Sequence, residues 1–128
     1  MDYLTPNLYS TAAFEARVVE RFNSRADVLA AVGGDQVLNP QHPMITQDRE
    51  YKAAAVLIAI IDRDGEAMVL LTQRTEHLSS HSGQVAFPGG KIDRGESPQQ
   101  AALREAQEEV GLESSQVRLL GTFGTYFT

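Results

Sequence analysis

The chain has 128 residues, enough for one domain with a hydrophobic core, and its 42% hydrophobic content is ordinary for a water-soluble fold. Its 11 basic and 17 acidic residues give a formal net charge of −6 with no basic stripe, which argues against nucleic acid as a partner. The lack of cysteine excludes disulfides, thiolate metal sites and a cysteine nucleophile, and fits a cytoplasmic protein.

The first ten residues, MDYLTPNLYS, lack a basic region followed by an apolar stretch, so no signal peptide is expected. From Thr11 to Phe22, Phe14, Val18 and Phe22 recur at helical spacing and predict a short amphipathic helix. Ser24 and Asp27 read as a second helix start, and Gly33-Gly34 as its stop. Asn39 to Glu50 is polar and proline-containing, hence a connector, with His42 solvated in it. Lys52 to Asp62 predicts a strand. Its apolar run, Ala53 to Ile61, falls well short of the ~20 residues of a membrane span. Arg63 to Glu66 predicts a turn centred on Asp64-Gly65, and Ala67 to Gln73 the returning strand. Thr75 to Ser82 reads as a polar loop and Gln84 to Phe87 as a short strand, broken by Pro88-Gly89-Gly90.

The next helix carries the strongest local signals. Ser97 suits the N-cap, Pro98 the first helical position, Gln100 the capping box and Gly111 the position past the end. Leu103, Ala106 and Val110 share one side of it, and Arg104, Glu105, Glu108 and Glu109 the other. Val117 to Phe123 predicts a last strand. A single domain over residues 1–128 is expected, with residues 1–50 as helical region and connector and residues 51–128 as the core.

Glu105, Glu108 and Glu109 stand at i, i+3 and i+4, where like charges weaken an isolated helix. A hard divalent cation, which prefers oxygen ligands and bridges carboxylates to phosphates, would offset that repulsion. The Gly89-Gly90 turn lets backbone approach a ligand closely. Taken alone, the acidic cluster reads as a solvated face. Its surroundings override that reading.

From Gly90 the order is glycine, five residues, Glu96, seven residues, Arg104-Glu105, Ala106, Gln107, Glu108-Glu109, Val110, Gly111, Leu112. This resembles the Nudix box at every fixed position. With each residue type near ~6% of usage, such a match arises by chance on the order of 10⁻⁸ per start. The resemblance implies an α/β fold, the α/β/α sandwich with a mixed sheet. It further implies a loop–helix–loop that holds Mg²⁺ or Mn²⁺ on a substrate diphosphate. By match to the motif, Glu105 and Glu109 are the leading metal ligands, and Glu108 a further ligand or the water-activating group. Arg104 pairs with a carboxylate, Glu96, and holds the helix in place. The Gly89 carbonyl is an extra ligand. The family's fold usually continues with more strands and a closing helix. With only Glu113 to Thr128 after the box, the resemblance implies a fold incomplete at its C-terminus, whose exposed edge favours a homo-oligomer.

Upstream, Leu70-Leu71-Thr72-Gln73-Arg74-Thr75 leads into His77, Leu78, His81, Gly83 and Phe87-Pro88-Gly89-Gly90. This resembles the signature of coenzyme A diphosphatases, with Thr75 where serine is usual and Ser79 where arginine is usual. Arg74, His81 and Gly83, together with Gly89 and Gly90, are then the expected substrate-binding residues. The implied reaction hydrolyses coenzyme A or acyl-coenzyme A to 3′,5′-ADP and 4′-phosphopantetheine. Two other readings stay open: another nucleoside diphosphate derivative as substrate, or a truncated, inactive domain that acts as a binding module.

Overall fold

The structure, a computed structural model, describes residues 7–25, 33–34, 50–73 and 83–127. The chain divides into two compact units. One contains Tyr9–Thr11 and Lys52–Arg118, and the other contains the body of the first helix and the last residues of the chain.

In the larger unit, β2 (Ala54–Val56) and β3 (Ile60–Arg63) take the place of the one strand expected from Lys52 to Asp62, with β3 running one residue past its end. They are separate because the segment changes partner. β2 pairs antiparallel with β7 (Gly89–Lys91), whereas β3 pairs antiparallel with β4 (Glu66–Val69). Leu57 N–H still donates to the Pro88 carbonyl, and Ala59 accepts from Leu70 N–H, so hydrogen bonding continues through the break. The returning segment divides likewise: β5 (Thr72–Gln73) pairs with β6 (Val85–Ala86).

The β3–β4 hairpin closes through Asp64 and Gly65 alone, with Arg63 paired to Glu66 inside the ladder. Both turn residues have positive φ, 54° and 84°, the backbone of a type I′ turn that matches strand twist. The Asp62 carboxylate accepts from Gly65 N–H at 2.9 Å. Gly65→Val places a β-branched side chain in the left-handed region. It is expected to destabilise this unit by about 1–2 kcal/mol, read as a lower urea midpoint at unchanged slope.

The helix α2 (Pro98–Val110) packs its alanines inward. Leu57, Ala102 and Ala106 form a buried cluster, with Ala55, Ala59, Leu103 and Leu112 packed around it. Small residues at these positions let the helix backbone lie close to the strands. The apolar side is therefore centred on Ala102 and Ala106. Val110, expected to share it, is exposed.

The first helix, α1, whose body belongs to the smaller unit, spans Thr11–Ser24, two residues past the expected end. Ser24 thus closes this helix, and Asp27 lies outside the described residues. β1 (Gly33–Gly34), expected as a helix stop, pairs parallel with β8 (Tyr126–Phe127). Ser114–Gln116 forms a 3₁₀ turn at the edge of the larger unit. The expected strand from Val117 to Phe123 is not formed. Among the described residues no strand pairs with it. Side-chain packing holds its second half instead: the Phe22 and Phe123 ring centroids are 5.3 Å apart, and the Gly121 backbone lies against the Phe22 ring. Among the described residues no helix is long and apolar enough to cross a membrane.

Candidate active site

The acidic helix begins where local chemistry dictates. The Ser97 hydroxyl accepts from Gln100 N–H, and the Gln100 side chain accepts from Ser97 N–H at 2.8 Å. Pro98 needs no donor partner in the first turn. Gly111, at φ 69°, turns its N–H back onto the Ala106 and Gln107 carbonyls. These caps fix the helix phase and set the direction in which residues 104, 105, 108 and 109 project.

Arg104 is the hub of the site. Its Nε donates to Glu96 Oε1 at 2.8 Å and its Nη2 to Glu96 Oε2 at 3.1 Å, a bidentate pair. Nη1 donates to Glu105 Oε1 at 2.8 Å and to Glu108 Oε2 at 3.3 Å. Nη2 also donates to the Lys91 carbonyl at 2.9 Å. Asp93 stands 3.6 Å from the same nitrogen, and its N–H donates to Glu96. One guanidinium thus joins the end of β7, the Asp93–Glu96 turn and two of the three helix carboxylates. A shallow open depression of about 400 Å³ beside this clamp is lined by Asp93, Arg94, Gly95, Glu96, Gln100 and Arg104, not by Glu105, Glu108 or Glu109. The Arg104 hydrogen bonds, aided by the Asp93 N–H, hold the Glu96 carboxyl below the usual carboxylate range. Glu96 and then Glu105 raise Arg104 well above its ordinary value.

The structure corrects the expectation that Gly89-Gly90 is a turn: both residues are in β7. Their lack of side chains serves two close approaches. A Cβ on Gly89 would strike the Ala55 carbonyl and come 2.6 Å from Val56 Cα. A Cβ on Gly90 would come 2.6 Å from Glu105 Cδ. Gly89 N–H meanwhile points at Glu109 Oε2, 3.4 Å away. In the β2–β7 ladder, Leu57 N–H donates to Pro88 and Ile92 N–H to Ala53, so the bonded positions of β7 alternate through Pro88, Gly90 and Ile92. That alternation turns the N–H and carbonyl groups of Gly89 and Lys91 outward, to the edge where Gly89 N–H meets Glu109 and the Lys91 carbonyl accepts from Arg104.

The three helix carboxylates differ in setting. Glu105 is largely covered, with 18% of its side chain exposed, whereas Glu108 is 59% exposed and held only by longer bonds. Among the described residues no three His, Asp or Glu side chains converge closely enough to enclose a metal ion by themselves. The donor set still fits a hard cation that completes its shell with phosphate and water oxygens. It offers the Glu105 and Glu109 carboxylates and an outward Gly89 carbonyl, oxygens throughout. Arg74, His77, Ser79 and His81 lie outside the described residues. Gly83 has φ 71° in a turn before β6, and among the described residues nothing lies within 4 Å of where its Cβ would stand.

Sequence reasoning missed two members of the clamp. A backbone carbonyl such as that of Lys91 has no sequence signature. Asp93 did have one: an acid three residues before Glu96 beside Gly95, which is the pattern of a tight turn.

A family model described as the NUDIX domain matches residues 51–128. Nudix hydrolase 3 of Caenorhabditis elegans is 44% identical over 82 residues, covering 63% of this chain and 34% of that protein. A Nudix hydrolase NudL of Yersinia enterocolitica is 55% identical over 87 residues, covering 67% of this chain and 43% of that protein. The chain therefore matches less than half the length of either relative. A crystal structure of a Nudix hydrolase from M. smegmatis, RenU, is 36% identical with a TM-score of 0.46, covering 59% of this chain and 56% of that one.

Proposed function

The chain belongs to the Nudix family, with its α/β fold, and on that premise we propose that it is a diphosphatase hydrolysing coenzyme A or acyl-coenzyme A. The observation that carries the catalytic reading is the meeting of α2 with β7. Glu105 lies against Gly90, Glu109 reaches Gly89, and Arg104 fixes the helix to the loop before it. Two carboxylates and one outward carbonyl thus stand beside β7.

Nudix hydrolases generally use divalent metal ions, and here Mg²⁺ or Mn²⁺ would supply positive charge to the diphosphate and make water a better nucleophile. Glu105, Glu109 and the Gly89 carbonyl are the groups that would hold the ion. Glu108, exposed and held only by the longer Arg104 bonds, takes a proton from the attacking water. The water oxygen then bonds to one phosphorus, the anhydride P–O bond breaks, and the second phosphate leaves. Arg104 acts as a positioning residue, since its donors are already committed to Glu96, Glu105, Glu108 and the Lys91 carbonyl.

The substrate reading rests on the run from Leu70 to Gly90. Pairing of Thr72 with Ala86 and Gln73 with Val85 sets the two ends of that run side by side, and β6 then leads through Phe87-Pro88 directly to Gly89. Arg74 follows β5 immediately, and we assign it, with His81 and Gly83, to binding the nucleotide phosphates. Turnover of coenzyme A should exceed that of a nucleotide sugar or a nucleoside triphosphate, give 3′,5′-ADP, and stop in chelator. The check is a diphosphate panel with Mg²⁺ or Mn²⁺ and chromatographic product identification. Hydrolysis of the nucleotide sugar alone would replace the substrate and keep the chemistry. No metal-dependent turnover of any member would leave a binding module.

A further inference from the structure

We propose that Gly90 is a positioning residue whose missing side chain seats the Glu105 carboxylate against β7, so that Gly90 sets metal affinity without touching metal. The proposal rests on the reading of Glu105 as a metal ligand.

Three observations carry it. Gly90 is not among the glycines with positive φ, so its backbone is one that any residue adopts. Its conformation therefore gives no reason for a glycine. The space does: a Cβ there would lie 2.6 Å from Glu105 Cδ, 2.7 Å from Oε1 and 2.8 Å from Oε2. These distances are well inside van der Waals contact, and all three atoms are the far end of one flexible side chain. Lastly, Oε1 of that carboxylate accepts from Arg104 Nη1 at 2.8 Å. Glu105 is thus held by a guanidinium while it lies against bare backbone.

The neighbouring glycine makes the contrast. A Cβ on Gly89 would meet the Ala55 carbonyl and Val56 Cα, which are backbone of the paired strand. Backbone in a ladder cannot yield without breaking it, so Gly89→Ala acts on the fold. A carboxylate can yield by rotating its side chain, so Gly90→Ala acts on Glu105. The displaced carboxylate loses both its seat and its bond to Arg104.

The test uses Mn²⁺ alone, titrated into the 128-residue chain and followed by calorimetry or by loss of the free-ion resonance signal. Gly90→Ala should weaken Mn²⁺ binding about tenfold or more, since outer-shell changes typically cost 10–100-fold in metal affinity. Its melting temperature in chelator should stay close to that of the unaltered chain, whereas Gly89→Ala should lower it. The decisive variant is Gly90→Ala with Glu105→Asp. One methylene less on the acid makes room for the added methyl, so the double variant should bind Mn²⁺ more tightly than either single one. Unchanged affinity in Gly90→Ala, or a double variant no better than the weaker single one, overturns the proposal. Absence of Mn²⁺ binding by the unaltered chain overturns the metal reading, and this proposal with it. Binding that is present but indifferent to Gly90 overturns this proposal alone.

Discussion

Glu109→Gln should lower turnover by ~10²-fold or more while leaving the chain folded, because it removes one charge from the place where phosphate charge must be neutralised. The substitution is conservative in shape. A glutamine oxygen can still accept from Gly89 N–H, the one hydrogen bond Glu109 makes to β7. The electrostatic role is therefore changed without deleting the contact. Glu105 and Glu109 are four residues apart on α2, where like charges cost a few tenths of a kcal/mol. Relieving that repulsion should hold or raise the melting temperature in chelator. Added Mn²⁺ should raise the melting temperature of the unaltered chain more than that of the variant, because a ligand stabilises only the state that binds it. Turnover and melting with and without metal distinguish the outcomes. Full turnover by the variant would remove Glu109 from the site, and a large loss of apo stability would make it a structural residue.

The site helix was legible from the sequence because its signals are local. Ser97, Pro98, Gln100 and Gly111 each act within about one and a half helical turns, and each occupies the capping position its chemistry predicts. The Asp64-Gly65 hairpin was legible for the same reason. What could not be read depends on distant chain. Lys52 to Asp62 looks like one strand because periodicity does not register that Ala54–Val56 and Ile60–Arg63 have different partners. Val117 to Phe123 has strand composition, but a strand needs a ladder, and Phe22 offers that stretch a ring instead. Gly89-Gly90 looked like a breaker because glycine weakens strands on average. The term that reverses this is Glu105, fifteen positions later in the numbering, whose carboxylate fills the space a Cβ would take. The acidic face was found by spacing alone. The ranking within it, with Glu105 covered and Glu108 exposed, follows from how β7 and Arg104 share the space above the helix.

Arg104→Met should cost about 10–100-fold in turnover, the usual range for a residue that orients metal ligands, and should also change how stability responds to acid. The methionine keeps much of the apolar stem and removes every donor. Glu96 and Glu105, both largely covered, are then left without their counter-charge, a costly arrangement for partly buried carboxylates. At neutral pH the variant should therefore melt at a lower temperature. The pH dependence follows from Glu96. Hydrogen bonds from Arg104 and the Asp93 N–H lower its pKa in the folded chain, so the unfolded chain binds a proton at a higher pH than the folded one. The pair's contribution is then fully present above the ordinary carboxylate pKa and is lost as pH falls through the lowered folded value. Without Arg104 most of that shift disappears. The difference in melting temperature between the two chains should be largest near neutrality and should shrink as pH falls through the carboxylate range. Arg104→Lys should recover only part of the loss, because one ammonium cannot reach both Glu96 oxygens, Glu105, Glu108 and the Lys91 carbonyl together. Melting curves across the acid range, with turnover for all three proteins, test the whole argument. A melting difference that stays constant with pH would show that the guanidinium acts through packing and not through the Glu96 charge.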